Sequence, residues 1–364
     1  MEDKLKKTIA ITTGGTGGHY FPAKALCDTF IQENYKVLVF LDKRAYKYKY
    51  IWDKNASIHQ IYSLGFKNKS ILHIIKMIFI IKIGFWQSLY HFIKNRPAVL
   101  ISFGGYSSIP TVFSAIILRI PIVMHEQNAT LGKAHRLFLR FAKVVATTFK
   151  NTKNIPSSIN AQVVGLPVRK EFIFFRNKQK YESQNKLTVC ILGGSLGAKI
   201  FSDMIPIAFA NLNEEEQKNI TVYHQCREEF LEISLEQWKK TKINYTLKPF
   251  FNDIAKILWE TNLVIARAGS SSIAEVNTIG RYAFYIPYAY AAENHQELNA
   301  INARDYSGAD YILEKDFNSE VLADVIKKAF YDKEFVNSRE IISKNSVNVD
   351  STLEFKNIIE DIIR

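Results

Sequence analysis

The sequence predicts an α/β protein with two Rossmann-like domains that face each other across a cleft. Three observations predict this fold. The chain has 364 residues, more than one hydrophobic core usually contains. Short apolar runs alternate with longer helical stretches, as they do in parallel α/β units. A glycine loop follows the first run of each half, GGTGGH at residues 14 to 19 and GGSLGA at residues 193 to 198.

Each half of the chain contains a series of strand-length apolar runs. The first series is TIAITT (8 to 13), KVLVFL (36 to 41), AVLISF (98 to 103) and PIVM (121 to 124). The second series is LTVCILGGSLGA (187 to 198), ITVYHQ (220 to 225), NLVIARAGSSS (262 to 272) and YAFYIPY (282 to 288). Because the halves join near VVGLPVR (163 to 169), we expect an N-terminal domain over residues 1–164 and a C-terminal domain over residues 165–364.

The two glycine loops predict an anionic ligand. Without Cβ atoms the backbone can approach a phosphate, and the first amides of the following helix supply a positive dipole end. Neither loop gives GxGxxG, but Asp42 lies roughly 20 residues beyond the first loop, where a dinucleotide site has its ribose carboxylate. A nicotinamide-dependent dehydrogenase is therefore an alternative that these residues leave open.

Composition excludes several classes of protein. With 47% hydrophobic and 23% charged residues, the chain is not a wholly disordered protein, a collagen or a coiled-coil rod. Cys27, Cys190 and Cys226 are far apart and form no CxxC pair, which argues against a disulfide framework or zinc site and favours a reducing compartment. The basic N-terminal segment has only a short, interrupted apolar run, so we expect no signal peptide.

The positive charge is confined to one half of the chain. Residues 1 to 160 contain 23 Lys and Arg against 7 Asp and Glu, whereas the remainder contains 25 against 28, so the net charge of +13 divides into +16 and −3. Such asymmetry suggests a polyanionic partner for the first half, either a nucleic acid or an anionic membrane surface. Solubility and lysine-rich codon usage are the simpler explanation.

Residues 71 to 94, ILHIIKMIFIIKIGFWQSLYHFIK, predict an amphipathic helix. Its polar side would carry His73, Lys76, Gln87, Ser88, His91 and Lys94, and its apolar side Ile75, Ile78, Phe79, Trp86, Leu89 and Ile93. Because a central lysine costs about 2.5–3.5 kcal/mol on insertion, Lys76 and Lys82 argue against a transmembrane helix. Lys82 falls on the apolar side, where a lipid headgroup layer would let it snorkel. Membrane contact and a core helix that breaks near Gly84 both remain open.

Several motifs occur in a characteristic order along most of the chain. They are GGTGGHYFPAKAL, SFGGYSSIP, MHEQNATLG, VVGLPVR, GGSLGA and RAGSSSIAE. Together they resemble the MurG family, the undecaprenyl-diphospho-muramoylpentapeptide N-acetylglucosaminyltransferases of bacterial peptidoglycan synthesis. HEQN after a GGY loop, in a chain that starts with GGTGGH, is the most specific part. The resemblance implies the GT-B glycosyltransferase fold, UDP-N-acetylglucosamine as donor and a lipid-linked N-acetylmuramoyl pentapeptide as acceptor.

By this resemblance, the first domain supplies the catalytic residues. His19 would deprotonate the acceptor's 4-hydroxyl, with Glu126 assisting, as that oxygen attacks the anomeric carbon and inverts its configuration. His19 stands at a helix start, where the dipole disfavours its protonated form and keeps a neutral imidazole available. The alternative is a histidine that only caps or packs. Asn128 would hydrogen-bond the substrate or cap its own loop. The backbone of three residues would lie against the substrate: Thr16, Gly17 and Gly18.

The resemblance also implies donor-binding residues in the second domain. Arg169 would pair with the diphosphate through its planar guanidinium, and Ser195 would donate to it as UDP departs. Glu275 would accept the ribose hydroxyls or form a capping box at its helix start. The remaining candidates are Ser271 and Ser272 at that start, Phe251 for uracil through its backbone, and Gln296 for the sugar hydroxyls. A hinge arginine, a turn serine and a solvated glutamine are the corresponding structural alternatives.

No cofactor or metal is expected, because the sequence contains no DxD motif and no His/Cys spacing typical of a metal site. Amides, Arg169 and Ser195 would then neutralise the diphosphate. Three places depart from the family pattern. Leu196 stands where glutamine is common, His135 stands where asparagine often follows HEQN, and HQCRE lacks a glycine. These departures concern contacts to diphosphate and sugar rather than the reaction class.

The acceptor implied by the resemblance would explain the positive charge of residues 1 to 160. A diphosphate tethered by a polyprenyl chain lies at headgroup height, so the half that holds His19 should bind an anionic membrane surface. We expect a peripheral protein on the cytoplasmic face of the bacterial inner membrane. Nucleic acid is not an expected partner, since we find neither stacking aromatics nor a recognition helix. A GT-B UDP-sugar epimerase and a transferase for another acceptor remain the alternatives.

Overall fold

The computed structural model describes residues 7–14, 17–65, 70–178, 186–194, 198–347 and 350–364. The chain divides into two compact units. The first comprises Met1–Arg169 together with Asp350–Arg364, and the second comprises Lys170–Val349. The division therefore differs from the expected single boundary after residue 164.

The C-terminal helix explains why the chain returns to the first unit. This helix, Ser351–Ile363, buries Phe355, Ile359 and Ile363 in the same core as the first strands of the chain. Its Lys356 also pairs with Glu33, 2.5 Å away. Burial of three large apolar side chains is worth several kcal/mol, so the helix belongs physically to the first unit.

The first unit is built on a seven-stranded parallel sheet. Its strands are β1 (Thr8–Thr13), β2 (Lys36–Leu41), β3 (Ser57–Gln60), β4 (Val99–Ser102), β5 (Ile122–Glu126), β6 (Ala142–Thr147) and β7 (Ala161–Val163). Its helices are α1 (Gly17–Gln32), α2 (Lys43–Tyr46), α3 (Ile71–Asn95), α4 (Ile109–Ile117) and α5 (Lys133–Phe138), besides the C-terminal helix. The strand order is β3-β2-β1-β4-β5-β6-β7. The order reverses between β1 and β4, and ligands of such sheets bind beyond the strand ends at this point.

Alternate strand residues pack against different helices, as the two-residue period of a strand requires. On one face, Ile9 and Val37 join α1 and the C-terminal helix. On the other face, Ala10 and Leu38 join Phe92 of α3 and parts of α4 and α5. The sheet is therefore covered on both sides, as parallel sheets usually are.

Helix α3 packs on the unit through Gly84, Ser88 and Phe92 and exposes most of its predicted apolar side. Ser88 and Gly84 are buried, whereas Phe79 and Trp86 are 64% and 59% exposed. The helix is long and apolar enough to cross a membrane, yet only 11% of its most apolar 18-residue stretch is buried. It runs without a break through Gly84, and Lys82 is exposed. The interpretation as a core helix that breaks at Gly84 is therefore wrong.

Gly84 sets how closely α3 approaches the rest of the unit. A Cβ at this position would overlap the carbonyl oxygen of Tyr62 and lie 3.1 Å from Pro110 Cγ. We expect Gly84→Ala to lower the free energy of unfolding by about 1–3 kcal/mol, because the helix must move outward. Urea denaturation measures the change, with Ile83→Ala on the exposed side as control. A Gly84→Ala protein as stable as the control would contradict this close approach.

The second unit repeats the architecture with six parallel strands. They are β8 (Leu187–Leu192), β9 (Ile220–Gln225), β10 (Asn244–Lys248), β11 (Leu263–Ala266), β12 (Tyr282–Tyr285) and β13 (Asp310–Tyr311), in the order β10-β9-β8-β11-β12-β13. The helices are α6 (Lys170–Arg176), α7 (Lys199–Ala210), α8 (Glu214–Lys218), α9 (Leu231–Trp238), α10 (Ile254–Glu260), α11 (Ser270–Ile279), α12 (His295–Ser307), α13 (Ser319–Tyr331) and α14 (Lys333–Asn345). Here the order reverses between β8 and β11. The loops that start α7 and α11 follow these two strands.

Candidate active site

Two glycine segments meet at the ends of β1 and β4. Gly104 and Gly105 have φ of 82° and 77°, a left-handed conformation that disfavours residues with side chains. A Cβ on Gly14 would lie 3.1 Å from Ser107 Oγ, and a Cβ on Gly105 would lie 3.7 Å from Gly14 Cα. The backbone after β1 thus packs directly on the loop after β4, at the predicted ligand position of the sheet.

His19 lies at this position, as the third residue of α1. Its side chain is half-buried, and it lies close enough to His125 to affect that residue electrostatically. Gly17 and Gly18 form the first residues of the helix, while Thr16 lies outside the described residues. His19 therefore lies at the start of a helix, and its role as a base stays a prediction.

Glu126 is buried at the end of β5 and is engaged through both carboxylate oxygens. Oε1 accepts from the amide of Asn128 at 3.0 Å, and Oε2 accepts from the amide of Gly132 at 2.9 Å and from His135 Nδ1 at 3.1 Å. Burial alone would raise the pKa of Glu126, but His135 and the two amides together hold it below its ordinary value. A carboxylate that is 3% exposed and so engaged organises its loop. These contacts argue against Glu126 as an assisting base.

Asn128 belongs to the same loop. It is half-buried, and its Nδ2 lies 3.4 Å from Glu126 Oε1. Asn128 therefore takes part in capping its own loop, which was the structural alternative for this residue. A substrate contact by this side chain stays a prediction.

His125 is a core residue of this region. It is fully buried, its Nε2 lies 2.9 Å from Gly165 O, and Gln127 Nε2 lies 3.2 Å from its Nδ1. Nε2 therefore donates and Nδ1 accepts, which makes the imidazole neutral. Burial lowers the pKa of His125 to about 4.

This buried imidazole predicts acid sensitivity. Between about pH 6.5 and pH 4 the unfolded chain binds a proton at His125 and the folded chain does not, so stability falls as the pH falls. We expect about 1.4 kcal/mol per pH unit from this residue, and a correspondingly smaller slope in His125→Gln. Urea denaturation across this range measures both slopes. Equal slopes in the two proteins would contradict the assignment.

Arg169 ends the first unit instead of belonging to the second, where we expected it. Its guanidinium carbon lies 5.3 Å from the centre of the Phe21 ring on α1. Arg169 is therefore placed beside the helix that carries His19. Its pairing with a diphosphate stays a prediction.

In the second unit, the N-terminus of α11 is not capped by the side chains that the sequence predicted. Gly269 is the N-cap residue and forms no side-chain cap, so Ser271, Ser272 and Glu275 lie inside the helix and the predicted capping box is wrong. Ser271 Oγ is buried without a hydrogen-bond partner among the described residues. The first amides of α11 and this hydroxyl are suited to an anion.

The other predicted donor residues are partly described. Ser195 lies outside the described residues, between Gly194 (φ 76°) and α7. The side chain of Phe251 is buried just before α10. Gln296 is not simply solvated, because its Oε1 accepts from the amide of Tyr288 at 2.9 Å. This bond fixes the loop after β12 to the start of α12.

Two polar arrangements were not predicted. Arg267, after β11, is buried against Glu314 (2.6 Å) and the carbonyl oxygens of Ile286 and Pro287. Ser102 lies 3.3 Å from His135 Nε2. The position of Arg267 at a strand end was the available signal, but its partner is 47 residues away in sequence.

Asp42 does not have the form of a ribose-binding residue. It is the N-cap of α2, accepts from the amide of Ala45 at 2.8 Å and pairs with Arg44 at 3.0 Å. It is also buried. The residue that suggested a dehydrogenase therefore has a structural role. Among residues 7–14, 17–65, 70–178, 186–194, 198–347 and 350–364, no group of three His, Cys, Asp or Glu is placed to bind a metal ion.

Comparisons with known proteins agree with this architecture. The model of the glycosyltransferase family 28 N-terminal domain matches residues 9–147, and that of the family 28 C-terminal domain matches residues 188–362. Relatives from Paramagnetospirillum magneticum and Rickettsia bellii are 33% and 34% identical. The alignments cover 98% of this chain in both cases, and 97% and 100% of the relatives. Both relatives are described as UDP-N-acetylglucosamine–N-acetylmuramyl-(pentapeptide) pyrophosphoryl-undecaprenol N-acetylglucosamine transferases.

Solved structures give the same result. The crystal structure of Acinetobacter baumannii MurG superposes with a TM-score of 0.79 at 26% identity, over 98% of this chain and 100% of that one. A UDP-GlcNAc 2-epimerase from Neisseria meningitidis has a TM-score of 0.69 at 10% identity, over 98% and 99% of the two chains, and so shares the fold alone. The chain therefore belongs to glycosyltransferase family 28, in the MurG group of UDP-N-acetylglucosamine-dependent transferases with the GT-B fold.

Proposed function

We propose that the protein transfers N-acetylglucosamine from UDP-N-acetylglucosamine to the 4-hydroxyl of lipid-linked N-acetylmuramoyl pentapeptide, with inversion at the anomeric carbon. The observation that carries the proposal is His19 at the start of α1, where the order of the first sheet reverses. A neutral imidazole at this point can accept a proton from a hydroxyl bound beyond the strand ends. The names of the relatives supply the substrates.

The chemistry requires one proton acceptor and one stabilised leaving group. His19 accepts the proton of the 4-hydroxyl, the oxygen forms a bond to the anomeric carbon, and the bond from that carbon to the diphosphate breaks. UDP leaves with the electron pair of that bond. In this scheme Glu126 stabilises the HEQN loop (residues 125–128). It does not exchange a proton with the substrate, because its oxygens already accept three hydrogen bonds.

Helix N-termini of the second unit are suited to the leaving UDP. The first amides of α11 and the hydroxyl of Ser271 would bind its phosphates, and Ser195 and Arg169 would add donors. Ser272, Glu275, Phe251 and Gln296 would bind the nucleoside and the sugar. These roles follow the family resemblance. The second glycine loop and the N-terminus of α11 both follow strands at the point where the second sheet reverses order.

The acceptor's lipid would be reached through α3. Exposed large apolar residues cover its outer side, and Lys76, Lys82, Lys94 and Arg96 are exposed beside them. Apolar side chains flanked by cations suit the headgroup and upper acyl layers of an anionic membrane. We infer a peripheral protein on the cytoplasmic face of the inner membrane, with α3 lying in the interface.

The cations of α3 give a direct test of this attachment. We expect simultaneous change of Lys76, Lys82, Lys94 and Arg96 to alanine to weaken binding to anionic vesicles at least tenfold, since each contributes about 1 kcal/mol. The remaining binding should depend less on salt. Vesicle sedimentation at several salt concentrations measures both effects. The matched control changes four exposed lysines of the second unit to alanine: Lys218, Lys239, Lys240 and Lys256. Equal binding of the two variants would contradict the attachment.

Acceptor-dependent UDP release tests the function itself. Purified protein, UDP-N-acetylglucosamine and a short-chain lipid-linked muramoyl pentapeptide should release UDP at a rate that requires both substrates. Omission of the acceptor should reduce release to background. No release with both substrates, or equal release without the acceptor, would overturn the proposal.

A further inference from the structure

A buried polar chain connects the ends of β4 and β5. Ser102, Glu126 and His135 are 0%, 3% and 3% exposed. His135 lies between the other two, with Nδ1 3.1 Å from Glu126 Oε2 and Nε2 3.3 Å from Ser102 Oγ. Burial of three polar side chains in one line is costly unless each is hydrogen-bonded, and here each one is.

The chemistry of Glu126 fixes the direction of its hydrogen bond with His135. The carboxylate of Glu126 can only accept, so His135 Nδ1 carries the proton and donates to it. The other ring nitrogen, Nε2, is within hydrogen-bond distance of the Ser102 hydroxyl, which can donate or accept. Ser102 Oγ in turn accepts from the amide of Gly104 at 3.3 Å. One chain of hydrogen bonds therefore connects the backbone after β4 to the carboxylate at the end of β5.

The imidazole also shapes the loop after β4 by contact. A Cβ on Gly104 would lie 2.8 Å from Cε1 and 3.1 Å from Nε2 of His135. Gly104 has a φ of 82°, so both the conformation and the contact require glycine. The backbone of the GGY loop (residues 104–106) thus rests on the His135 ring.

Both loops that His135 contacts belong to the candidate active site. Gly105 of the GGY loop packs against Gly14, which precedes the helix of His19. Glu126, the other partner of His135, fixes the amides of Asn128 and Gly132 in the HEQN loop (residues 125–128) and its continuation. Replacement of the buried His135 side chain would therefore disturb the GGY loop and the HEQN loop together.

We propose that His135 is a positioning residue that holds the GGY and HEQN loops in the arrangement that binds the acceptor sugar. The inference rests on the proposed function and assigns to this chain a residue that does not itself touch the substrate. Its effect is on the acceptor side, since every contact described above lies in the first unit.

Kinetics with the short-chain acceptor test the proposal. We expect His135→Ala to lower kcat/KM for the acceptor about 10- to 100-fold, as misplacement of reacting groups does, and to leave KM for UDP-N-acetylglucosamine within about twofold. His135→Asn keeps a short donor toward Glu126 and should recover part of the loss. Ser102→Ala removes only the other end of the chain and should cost less than His135→Ala. Phe30→Leu, near the end of α1 opposite to His19, controls for lost stability.

Hydrogen exchange provides a readout that does not need activity. In His135→Ala, peptides covering residues 103–107 and 126–132 should exchange faster, and they should not do so in a Phe30→Leu protein of similar Tm. Unchanged exchange in these peptides overturns the proposal, as does an acceptor kcat/KM equal to that of the control. Absence of transfer by the wild-type protein would instead refute the proposed function, and exchange would still decide whether His135 holds the loops.

Discussion

Replacement of His19 by alanine is expected to abolish acceptor-dependent UDP release while the protein still binds UDP. The side chain lies on the first turn of α1, beyond the end of β1 and at the reversal point of the first sheet. Removal of a positioned general base typically costs about 10²–10⁴-fold in rate. Binding of UDP should persist, because the predicted nucleotide contacts lie mostly in the second unit.

The control for this prediction is another half-buried histidine of the same unit. His91 lies on α3 in contact with His59, with the ring centres 3.8 Å apart, and has no predicted contact to substrate. His91→Ala should keep transfer within a few-fold of the wild type. A His19→Ala protein with activity near that of His91→Ala would refute the general-base role. Loss of UDP binding in His19→Ala would also contradict it, since the base is not expected to hold the nucleotide.

Replacement of the outer apolar side chains of α3 should release the protein from membranes. Ile75, Phe79 and Trp86 are 59%, 64% and 59% exposed, so their change to serine removes little packing inside the protein. Each should gain about 1.5–3 kcal/mol when transferred from water to the acyl boundary, and together they should be worth at least about 10³-fold in vesicle affinity. Flotation with anionic vesicles measures the loss.

The matched control carries serine at three apolar residues that are exposed elsewhere. Phe174, Tyr331 and Leu353 are 58%, 64% and 42% exposed and lie outside α3. Their triple variant should bind vesicles like the wild type. The Tm of both variants should stay near that of the wild type, because none of the six side chains is buried. Equal vesicle binding by the two triple variants would contradict the membrane role of α3.

Most of the strands that were predicted have largely apolar sequences. β1 and β2 are buried along almost their whole length, so most of their positions are apolar. β3 and β7 lie at the edges of the first sheet, and the short SIHQ and AQV sequences are half-buried and exposed. No apolar run marks such strands. The destination of the C-terminal helix was not predictable either, because an apolar stripe fits the face of either sheet.

For α3, the sequence predicted an amphipathic helix but not whether its apolar side faces the core or the outside of the protein. An apolar stripe indicates which side of a helix avoids water, and a core and a lipid surface satisfy it equally. Burial of Gly84 and Ser88, rather than of the apolar stripe, decided between the two. The local sequence carried a signal in Gly84, since only a residue without a side chain permits that approach.

The candidate site was predictable in location and less so in the role of each residue. The first glycine loop, His19 and Glu126 lie at the ends of strands of the first sheet, and strand ends in a parallel sheet meet at one edge, so their grouping followed from the pattern. The role of Glu126 as an assisting base was predicted from the family resemblance alone. Its engagement by Gly132 and His135 depends on a turn six to nine residues long, which sequence spacing does not define. The same holds for the contact of His135 with Ser102.

The most direct test of the account is the identity of the product. Isotopically labelled UDP-N-acetylglucosamine should be incubated with the protein and a short-chain lipid-linked muramoyl pentapeptide, and the products analysed by mass spectrometry and NMR. We predict an acceptor heavier by one labelled N-acetylhexosamine, joined through a β bond to the 4-hydroxyl, with UDP formed in equal amount. A product with an α bond, a label recovered only in an epimerised sugar nucleotide, or an unmodified acceptor would contradict the account.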